Sequence, residues 1–500
     1  MWKFVFVICF LTIGTLAFAQ KSVSKITIKQ ADKGYYRQSN PPKNRLVGHV
    51  VFEHDGALLY CDSAWLYSEA NRVEAFSNVR IEQDTLWLYS DYLNYDGTTR
   101  LGLAKRNVKL QDPSMSLTTE AMVFDRNQNI ASYSTGGTIV NQNNTLFSQI
   151  GTYFTRTQTF LFLNEVELKN PKYTLLTDTL NYQTVNRIAR FTGPTRIISD
   201  SNSRIYSEKG QYDTRNDLAI FTKSNEIWND GKQLKGDSIF YNKAIGFGQV
   251  FGHMWLLDTA QKSLVRGQLG EYTENPQTAK VHDLPYYALF DDITDTLFIH
   301  GEWLKFQTDT VGGDLLQIFP KVGIFKSDLQ GRCDSLIYSS IDSSFRMFES
   351  PVLWSDESQI SGDTIKLGMR NGALDSLFVL GNAFTMSSDT LNQYNQVRGK
   401  KMKGDFVDGQ LHKMYSFGNG QTAYYAKEEN GDYIGLYRAD CSNILIHFAN
   451  KKVNRVSFLV KPDSKLYPMS KIPPEEQQLS GFNPRFLERP KSKNDIFLLN

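Results

Sequence analysis

The sequence predicts an all-β protein, built as an elongated array of repeats and organised either as a β-solenoid or as an open, jelly-roll-like trough. An acidic or amide residue returns about every 29 residues. The segments that follow it alternate polar and apolar side chains, which is typical of strands with one buried face. Sustained helical periodicity is absent from this region of the sequence. A unit of this length cannot bury its own apolar face, so neighbouring units must stack.

The acidic or amide position, called the marker position here, defines the repeat. It falls at Asp62, Asp91, Glu120, Gln149, Asp178, Glu208, Asp237, Gln268, Glu302, Asp334 and Asp363. The first seven intervals are 29 to 31 residues long, and two intervals of 34 and 32 residues precede a last one of 29. A period kept over so many units indicates stacked copies of one supersecondary unit.

Two ladders of large apolar side chains follow the marker at fixed distances. Four residues after it stand Leu66, Tyr95, Phe124, Tyr153, Tyr182, Tyr212, Tyr241 and Tyr272, then Phe306, Tyr338 and Leu367. Nineteen residues after it stand Ile81, Leu110, Ile139, Leu168, Ile197, Ile227 and Leu256, then Tyr287 and Leu353. The second ladder fails at Lys321 and Asn382. We predict that the first eight residues of the first ladder and the first seven of the second line an apolar groove.

The N-terminus has the features of a secretory signal. Lys3 precedes an apolar run over residues 4–16, and Ala17-Phe18-Ala19 places small residues where a signal peptidase cleaves. The predicted organisation is a signal peptide over 1–19, an entry segment over 20–45, the β-repeat array over 46–400, a C-terminal β continuation or cap over 401–465, and a flexible tail rich in Pro and charge over 466–500.

Composition and motifs argue against several classes of function. The chain has 55 basic and 53 acidic residues, so it lacks the basic footprint of a nucleic-acid-binding protein. Neither a metal-binding histidine pair, nor a nucleophile elbow, nor a phosphate-binding loop occurs in the sequence. We therefore predict a protein that is not an enzyme, with no catalytic residue, no cofactor and no metal.

Three cysteines, Cys61, Cys333 and Cys441, remain after the signal peptide. Cys61 and Cys333 occupy the same repeat position nine units apart, and stacking separates them by tens of ångströms. They are predicted to be small buried residues that form neither a disulfide nor a metal site.

The acidic markers admit two interpretations. Paired carboxylates could cleave or bind glycans, as in β-helical enzymes that act on polysaccharides. Alternatively, each marker caps a corner or faces water, since a buried column of like charges would repel. We favour the structural interpretation, which requires a bulge or bend just after the marker to keep it solvated. The apolar ladders also leave two possibilities open, a sealed core or an open trough.

Several segments resemble the OstA-like (organic solvent tolerance) family. These are the opening block Arg45-Leu-Val-Gly-His-Val-Val-Phe-Glu-His-Asp-Gly56 with Cys61-Asp-Ser-Ala-Trp-Leu-Tyr67, the recurring Asp-x-Leu-x-Tyr units, and the turns at Asn78-Val79 and Asn107-Val108. The resemblance covers roughly residues 40–400, and the Lys471-Ile-Pro-Pro tail is also similar to long family members.

The resemblance implies a V-shaped, taco-like antiparallel β-jelly-roll whose trough shields the acyl chains of lipid A. Its implied partners are lipopolysaccharide or another acylated glycolipid, an inner-membrane export complex, an outer-membrane translocon and, by end-to-end pairing of edge strands, further copies. The implied location is the periplasm, where the chain could also associate with the outer membrane. Lysines and arginines at the rims are expected to meet lipid phosphates. A glycan-active solenoid and a closed scaffold remain as alternative hypotheses.

Overall fold

In a computed structural model, the chain divides into two compact units, residues 1–171 and 172–500. The structure describes residues 24–38, 42–141, 143–199, 203–290, 295–308, 311–370, 373–388, 393–407, 410–428, 430–449 and 452–498. The predicted signal peptide lies outside the described residues. Within them, regular structure is β-strand apart from four short 3₁₀ turns, which confirms the predicted all-β fold.

The first unit contains thirteen described strands. They are β1 (Thr27–Gln30), β2 (Lys33–Arg37), β3 (Lys43–His54), β4 (Ala57–Tyr67), β5 (Arg72–Gln83), β6 (Leu86–Asp96), β7 (Leu101–Gln111), β8 (Ser116–Asp125), β9 (Ile130–Tyr133), β10 (Gly137–Asn141), β11 (Asn144–Ser148), β12 (Ile150–Phe154) and β13 (Thr159–Asn170). From β3 to β8, each strand pairs antiparallel with the next.

The described strands of the second unit begin with β14 (Tyr173–Gln183), β15 (Ile188–Ser199), β16 (Arg204–Asp213), β17 (Leu218–Lys223), β18 (Asn225–Asn229), β19 (Lys232–Gly236), β20 (Ser238–Asn242), β21 (Phe247–Asp258), β22 (Ser263–Thr273), β23 (Thr278–His282), β24 (Tyr286–Phe290), β25 (Thr296–His300), β26 (Trp303–Thr308) and β27 (Asp314–Phe319).

They continue with β28 (Val322–Phe325), β29 (Gln330–Cys333), β30 (Ser335–Ser339), β31 (Ser344–Phe348), β32 (Val352–Ser355), β33 (Ser358–Ser361), β34 (Thr364–Arg370), β35 (Ala373–Ser388), β36 (Tyr394–Val407), β37 (Gln410–Lys427), β38 (Tyr433–Ala449), β39 (Lys452–Leu459) and β40 (Asp463–Pro468). The 3₁₀ turns are Met469–Lys471, Pro474–Glu476, Phe486–Glu488 and Asp495–Phe497. Among the described residues, there is no helix with the length and apolar character needed to span a membrane.

Each unit is a β-jelly-roll with two walls, because every long strand bends at its middle. In β6, for example, the pairing register shifts between Tyr89 and Tyr92, on either side of the marker Asp91. We call the half that precedes a marker wall A and the half that follows it wall B. The next strand turns back from wall B to wall A at a corner. The predicted bulge at the marker is confirmed at this strand and at β4, where the shift lies between Tyr60 and Ser63.

The C-terminal segment packs along the outer face of wall A in the second unit. Two buried glutamines hold its backbone: Gln359 bonds Asn483 and Arg485, and Gln396 bonds Gln477 and Leu479. A third, Gln330, accepts from the guanidinium of Arg489 (2.7 Å). The sequence predicts a flexible tail over 466–500. The structure instead has residues 469–498 docked on the wall, because buried glutamines supply the hydrogen bonds that this irregular backbone needs.

This docking explains why wall A is apolar on both faces in β32. Val352, Leu353 and Trp354 are consecutive and all buried, a pattern of strands that are covered on both sides. The inner face of this wall lines the space between the walls, and its outer face carries the docked segment.

Candidate functional site

The corners between the walls are built from residues with positive φ. Typical pairs are Ser77 and Asn78 (62° and 50°), Arg106 and Asn107 (66° and 51°), and Gly381 and Asn382 (72° and 45°). Glycine and asparagine tolerate this left-handed conformation best. Two such residues in succession turn the strand sharply, so one strand can serve both walls.

Seven of the eleven marker side chains bond the corner of the following strand, and Gln268 accepts from the backbone N–H of His253 at the corner of the preceding one (3.1 Å). The contacts are Asn78 to Asp62 (2.8 Å), Asn107 to Asp91 (2.7 Å), Gln149 to Glu165 (3.2 Å), Lys223 to Glu208 (2.7 Å), His253 to Asp237 (2.8 Å), Lys321 to Glu302 (3.5 Å) and Asn382 to Asp363 (3.1 Å). The repeat therefore carries a polar residue because each corner needs a hydrogen-bond partner on the adjacent strand.

This geometry does not suit catalysis by paired carboxylates. Successive markers lie on alternate strands, so their backbones are about 10 Å apart, and each of these side chains is turned to its own corner. Glycoside hydrolysis needs two carboxyl groups at a separation of roughly 5–9.5 Å that flank one bond. The described markers therefore form a repeated structural contact and not a single reactive pair.

The inner faces of the two walls are apolar and become less enclosed away from the corner. Two residues after the marker, Leu93, Leu180 and Leu304 are almost completely buried. Seventeen residues after it, Val79 and Val166 are equally buried on the opposite wall. Their burial indicates that the space between the walls is closed next to the corner. The two predicted ladders lie one step further out on the same inner faces, towards the mouth of the groove.

The structure places the predicted groove residues in three classes of exposure. Leu66, Tyr95, Tyr153, Leu110 and Ile139 are buried. Half-buried are Phe124, Ile81, Leu168, Tyr182, Tyr212, Tyr241, Ile197, Ile227 and Leu256. Tyr272 is 37% exposed. The five buried members all belong to the first unit, and every predicted member in the second unit keeps some accessible surface.

In the first unit, polar contacts bridge the mouth of the groove. Arg126, in the turn after β8, donates to the carbonyl oxygens of His54 (3.0 Å) and Asp55 (2.9 Å) on the opposite wall. It also donates to the Tyr95 hydroxyl (3.2 Å), which bonds Nδ1 of the buried His54 (2.8 Å). The other ring nitrogen of His54 donates to the carbonyl oxygen of Ser24 (3.1 Å). These bonds tie the two walls together at their free edges.

In the second unit, the space between the walls opens into a cavity of about 1040 Å³. Wall A contributes residues of β24, β25, β28, β32, β33 and β35–β38, and wall B contributes residues of β30, β31, β34 and β35–β39. Its lining includes Leu336, Leu353, Leu377, Met414 and Ile446. Its volume lies at the upper end of the range for small-molecule sites, which are also mostly apolar.

None of the fifteen predicted groove residues lines this cavity. Leu353 and Leu367 belong to the two ladders, but the ladder becomes irregular where the repeat lengthens. Lys321 and Asn382, where the second ladder fails, are corner residues with positive φ. In those repeats, more residues separate the marker from the corner. The corner residue itself therefore stands nineteen residues after the marker, where regular repeats have an apolar ladder residue. Counting from the corner instead of the marker would have extended the pattern into the cavity.

The rims of the groove differ from the expectation of lysines and arginines. At the mouth of the cavity, wall A presents Asp295, Asp328, Asp356 and Glu357, with Lys326 as the accompanying cation. Lys326 lies 3.0 Å from Asp328 and 3.4 Å from Asp295. This rim is therefore predominantly acidic in its described part.

Asp342 lies in the turn between β30 and β31 on wall B. The contribution of its charge to the stability of the fold can be tested. Partial burial acts to raise the pKa of its carboxyl, but hydrogen bonds from Ser344 and Lys366 and the charge of Arg346 outweigh it and lower the pKa to about 2. A lowered pKa stabilises the fold above the ordinary value near 4, and this contribution is lost between pH 4 and 2. Asp342→Asn should cost about 0.5–1 kcal/mol at pH 7, discounted for exposure.

The check is urea unfolding of wild type and Asp342→Asn at pH 7 and pH 2.5, with the exposed Glu274→Gln as a control. The difference between wild type and Asp342→Asn should shrink markedly at the lower pH. An equal difference at both pH values would show that the charge of Asp342 is not what stabilises this turn.

Cys61, Cys333 and Cys441 are buried free thiols, which confirms the burial predicted for Cys61 and Cys333. Burial raises the pKa of the Cys61 thiol to about 12. These cysteines are consequently unreactive, space-filling residues.

Comparison with known proteins identifies the N-terminal part of the array. The family model described as OstA-like protein matches residues 23–178 and 166–237. Among solved structures, the chain is similar to the crystal structure of LptH, the LptA-homologous periplasmic component of the lipopolysaccharide transport device from Pseudomonas aeruginosa. That likeness has 12% sequence identity and a TM-score of 0.20, and covers 21% of this chain and 81% of LptH. Comparison with curated proteins returned no match. The family match over residues 23–237 agrees with the resemblance seen in the sequence, which was expected over roughly residues 40–400.

Proposed function

We propose that the protein is a periplasmic component of lipopolysaccharide transport that shields acyl chains of lipid A between its two walls. The OstA-like match over residues 23–237 supports this assignment. The observation that carries it is the apolar cavity of about 1040 Å³ between the walls of the second unit. A space of this size and lining suits hydrocarbon chains.

The proposed activity is binding without chemistry. Each methylene that leaves water for an apolar environment contributes about 0.8 kcal/mol, so one twelve-carbon chain could contribute roughly 9 kcal/mol before the costs of association. No reacting group is needed for such binding. The half-buried groove residues Tyr182, Tyr212 and Tyr241 support it as well, because tyrosine combines an apolar ring with a polar tip suited to the mouth of a groove.

The proposed partners at the ends are an inner-membrane export complex, an outer-membrane translocon and further copies of this chain. Among the described residues, β2 pairs only with β3, and β39 pairs only with β38. Such strands leave backbone groups available for pairing with another chain. Tyr35 and Tyr36 on β2 are 58% and 70% exposed and would add apolar contact to such a junction.

A closed scaffold is a second candidate for the first unit alone. There, Tyr153 stacks on Phe160 with ring centroids 4.2 Å apart, and Phe160 stacks on Phe162 at 5.4 Å. Together with the bridging bonds of Arg126, these rings fill the space that a ligand would need. The first unit would then serve as a rigid support, while the second unit binds the lipid.

The lipid hypothesis predicts that a charge inside the groove abolishes binding. Tyr182→Asp in the open groove and Val397→Asp in the cavity lining should each lower lipid occupancy at least tenfold, since a carboxylate there must be desolvated when hydrocarbon enters. Native mass spectrometry after incubation with lipid A would measure occupancy.

Tyr206→Asp is the matched control, because Tyr206 lies on the outer face of wall A between the inward-facing Ile205 and Ser207. It should keep wild-type occupancy, and circular dichroism would verify that all variants fold. A wild-type protein that stays empty with lipid A, or variants that load normally, would refute the proposal.

A further inference from the structure

The outer face of wall B has an unusual set of side chains at the C-terminal end of the second unit. The last five strands of this wall, β35 to β39, each pair antiparallel with the next. On their inner side, Met402, Met414 and Ile444 are buried towards the space between the walls. Because side chains alternate along a strand, the residues between these buried ones point outward.

We call these outward residues the C-terminal face, and the pairing register arranges them in three rows. The first row is Leu380, Lys401, Phe417, Asn443 and Leu459, the second is Phe378, Lys403, Tyr415, Leu445 and Ser457, and the third is Ser376, Asp405, Lys413, His447 and Arg455. Neighbouring members of a row lie on adjacent strands about 4.8 Å apart, so each row is about 20 Å long.

Large apolar side chains remain exposed on the C-terminal face. Leu380, Phe417 and Leu459 are 39%, 43% and 42% exposed, and they occupy every second strand of the first row. The ring of Tyr415 stacks beside that of Phe417, with centroids 6.0 Å apart. Val460, which follows Leu459, is 60% exposed. The outer face of wall A is covered by the docked C-terminal segment, whereas this apolar patch on wall B is bare and marks an interaction surface.

The same face carries a surplus of positive charge. Its three rows contain Lys401, Lys403, Lys413 and Arg455, and Asp405 is their one acid. Lys403 pairs with Asp405 at 2.8 Å. In the described part of the chain, Lys401, Lys413 and Arg455 form no ion pair. Lysine stems can lie along apolar surface while their ammonium groups reach outward, so the face offers hydrocarbon and available cations together.

We infer that the C-terminal face docks on a lipid surface with anionic head groups. The lysines attract head-group phosphates, and the leucine and phenylalanine side chains enter the interfacial layer. A protein partner fits this pattern less well, because protein interfaces place charged residues at the rim of an apolar centre. Here Lys401 stands within the apolar row, between Leu380 and Phe417.

This surface and the cavity lie on opposite sides of the same wall. The inference therefore goes beyond the proposed binding of acyl chains and does not require it. Docking through this face would hold the cavity of the second unit beside a membrane.

Sedimentation of the full chain with lipid vesicles tests the inference. Equimolar vesicles of phosphatidylglycerol and phosphatidylcholine should bind the wild type at least about tenfold more tightly than phosphatidylcholine alone, because each basic residue near an anionic surface adds a factor of about five. The preference should shrink in 1 M salt, where the screening length falls to about 3 Å.

Substitutions on the C-terminal face should weaken this binding without unfolding the protein. Lys401→Gln with Lys413→Gln should weaken binding to the anionic vesicles about 25-fold, by the same factor for each lysine. Phe417→Ser should weaken it at least about fivefold, through lost apolar contact. Lys280→Gln with Lys305→Gln is the matched control, because these two lysines pair on the outer face of wall B in other strands. It should keep wild-type binding, and circular dichroism would verify the fold of each variant.

Val397→Asp separates the surface from the cavity. Val397 lines the cavity, so this variant should lose lipid from the cavity and still bind anionic vesicles. Loss of vesicle binding in this variant would show that vesicle lipid enters the cavity, and would overturn docking through the C-terminal face.

Three other results would overturn the inference and leave the proposed lipid binding in the cavity intact. They are equal binding of neutral and anionic vesicles, unchanged binding by the double lysine variant, and no binding to either vesicle. The last of these would point to an acidic protein as the partner of this face.

Discussion

Trp354→Ala is expected to destabilise the second unit by about 3–5 kcal/mol, the usual cost of truncating a large buried aromatic side chain. Trp354 is 0% exposed in β32, between the inner cavity lining and the docked C-terminal segment. Its indole N–H donates to Gln359 at 3.4 Å. The substitution removes the largest fully buried side chain and a hydrogen-bond donor. Urea unfolding followed by circular dichroism would measure the change.

Trp303→Ala supplies the control for this substitution. Trp303 in β26 is 38% exposed, so its removal should cost less than about 1 kcal/mol, as for other substitutions at the surface. If the two variants were equally stable, the outer face of wall A would not be the packed layer described above.

Gln359→Leu is expected to release the C-terminal segment and to cost roughly 2–5 kcal/mol. The Gln359 side chain is 1% exposed, donates to the carbonyl oxygen of Asn483 at 2.9 Å and accepts from the backbone N–H of Arg485 at 2.7 Å. Leucine has similar volume but leaves both backbone groups unpaired, at about 1–3 kcal/mol each. Limited proteolysis would detect the release as faster cleavage within residues 472–498.

Gln317→Leu, on wall B and away from the docked segment, is the control for this second effect. It should change neither the stability by more than about 0.5 kcal/mol nor the rate of cleavage. Unchanged cleavage in Gln359→Leu would mean that the apolar contacts of Leu479 and Ile496, both buried, hold the segment without the glutamines.

The repeat could be predicted from sequence because each unit must meet the same local requirements. A marker such as Asp91 is needed to bond the corner at Asn107, and an inward residue such as Leu93 must pack beside that corner. These requirements recur at every unit, so they appear as a period. The bulge at the marker could also be predicted from the sequence. The buried residues stand two and four positions after the marker, so in a regular strand the marker would point to the same buried face.

The docked tail was not predictable in this way. Its sequence has the prolines and charges of a flexible segment, and its binding site is spread over distant strands. One signal was available: Gln330 and Gln359 each stand four residues before a marker, 29 residues apart. A buried amide repeated on an outer face indicates a hydrogen-bonding partner from elsewhere in the chain, but the period itself cannot identify that partner.

The sequence by itself determined the strands, the repeat, the polar corners and the apolar character of the inner faces, because these follow from side-chain alternation and local turn chemistry. Only the tertiary structure decided where the groove is filled and where it is open. Leu66 and Tyr153 are buried although Tyr182 and Tyr212 occupy the same repeat position and are not. Enclosure depends on contacts that join the two walls, such as Arg126 with His54, and on rings that fill the space between them, such as Tyr153 stacked on Phe160 of the neighbouring strand.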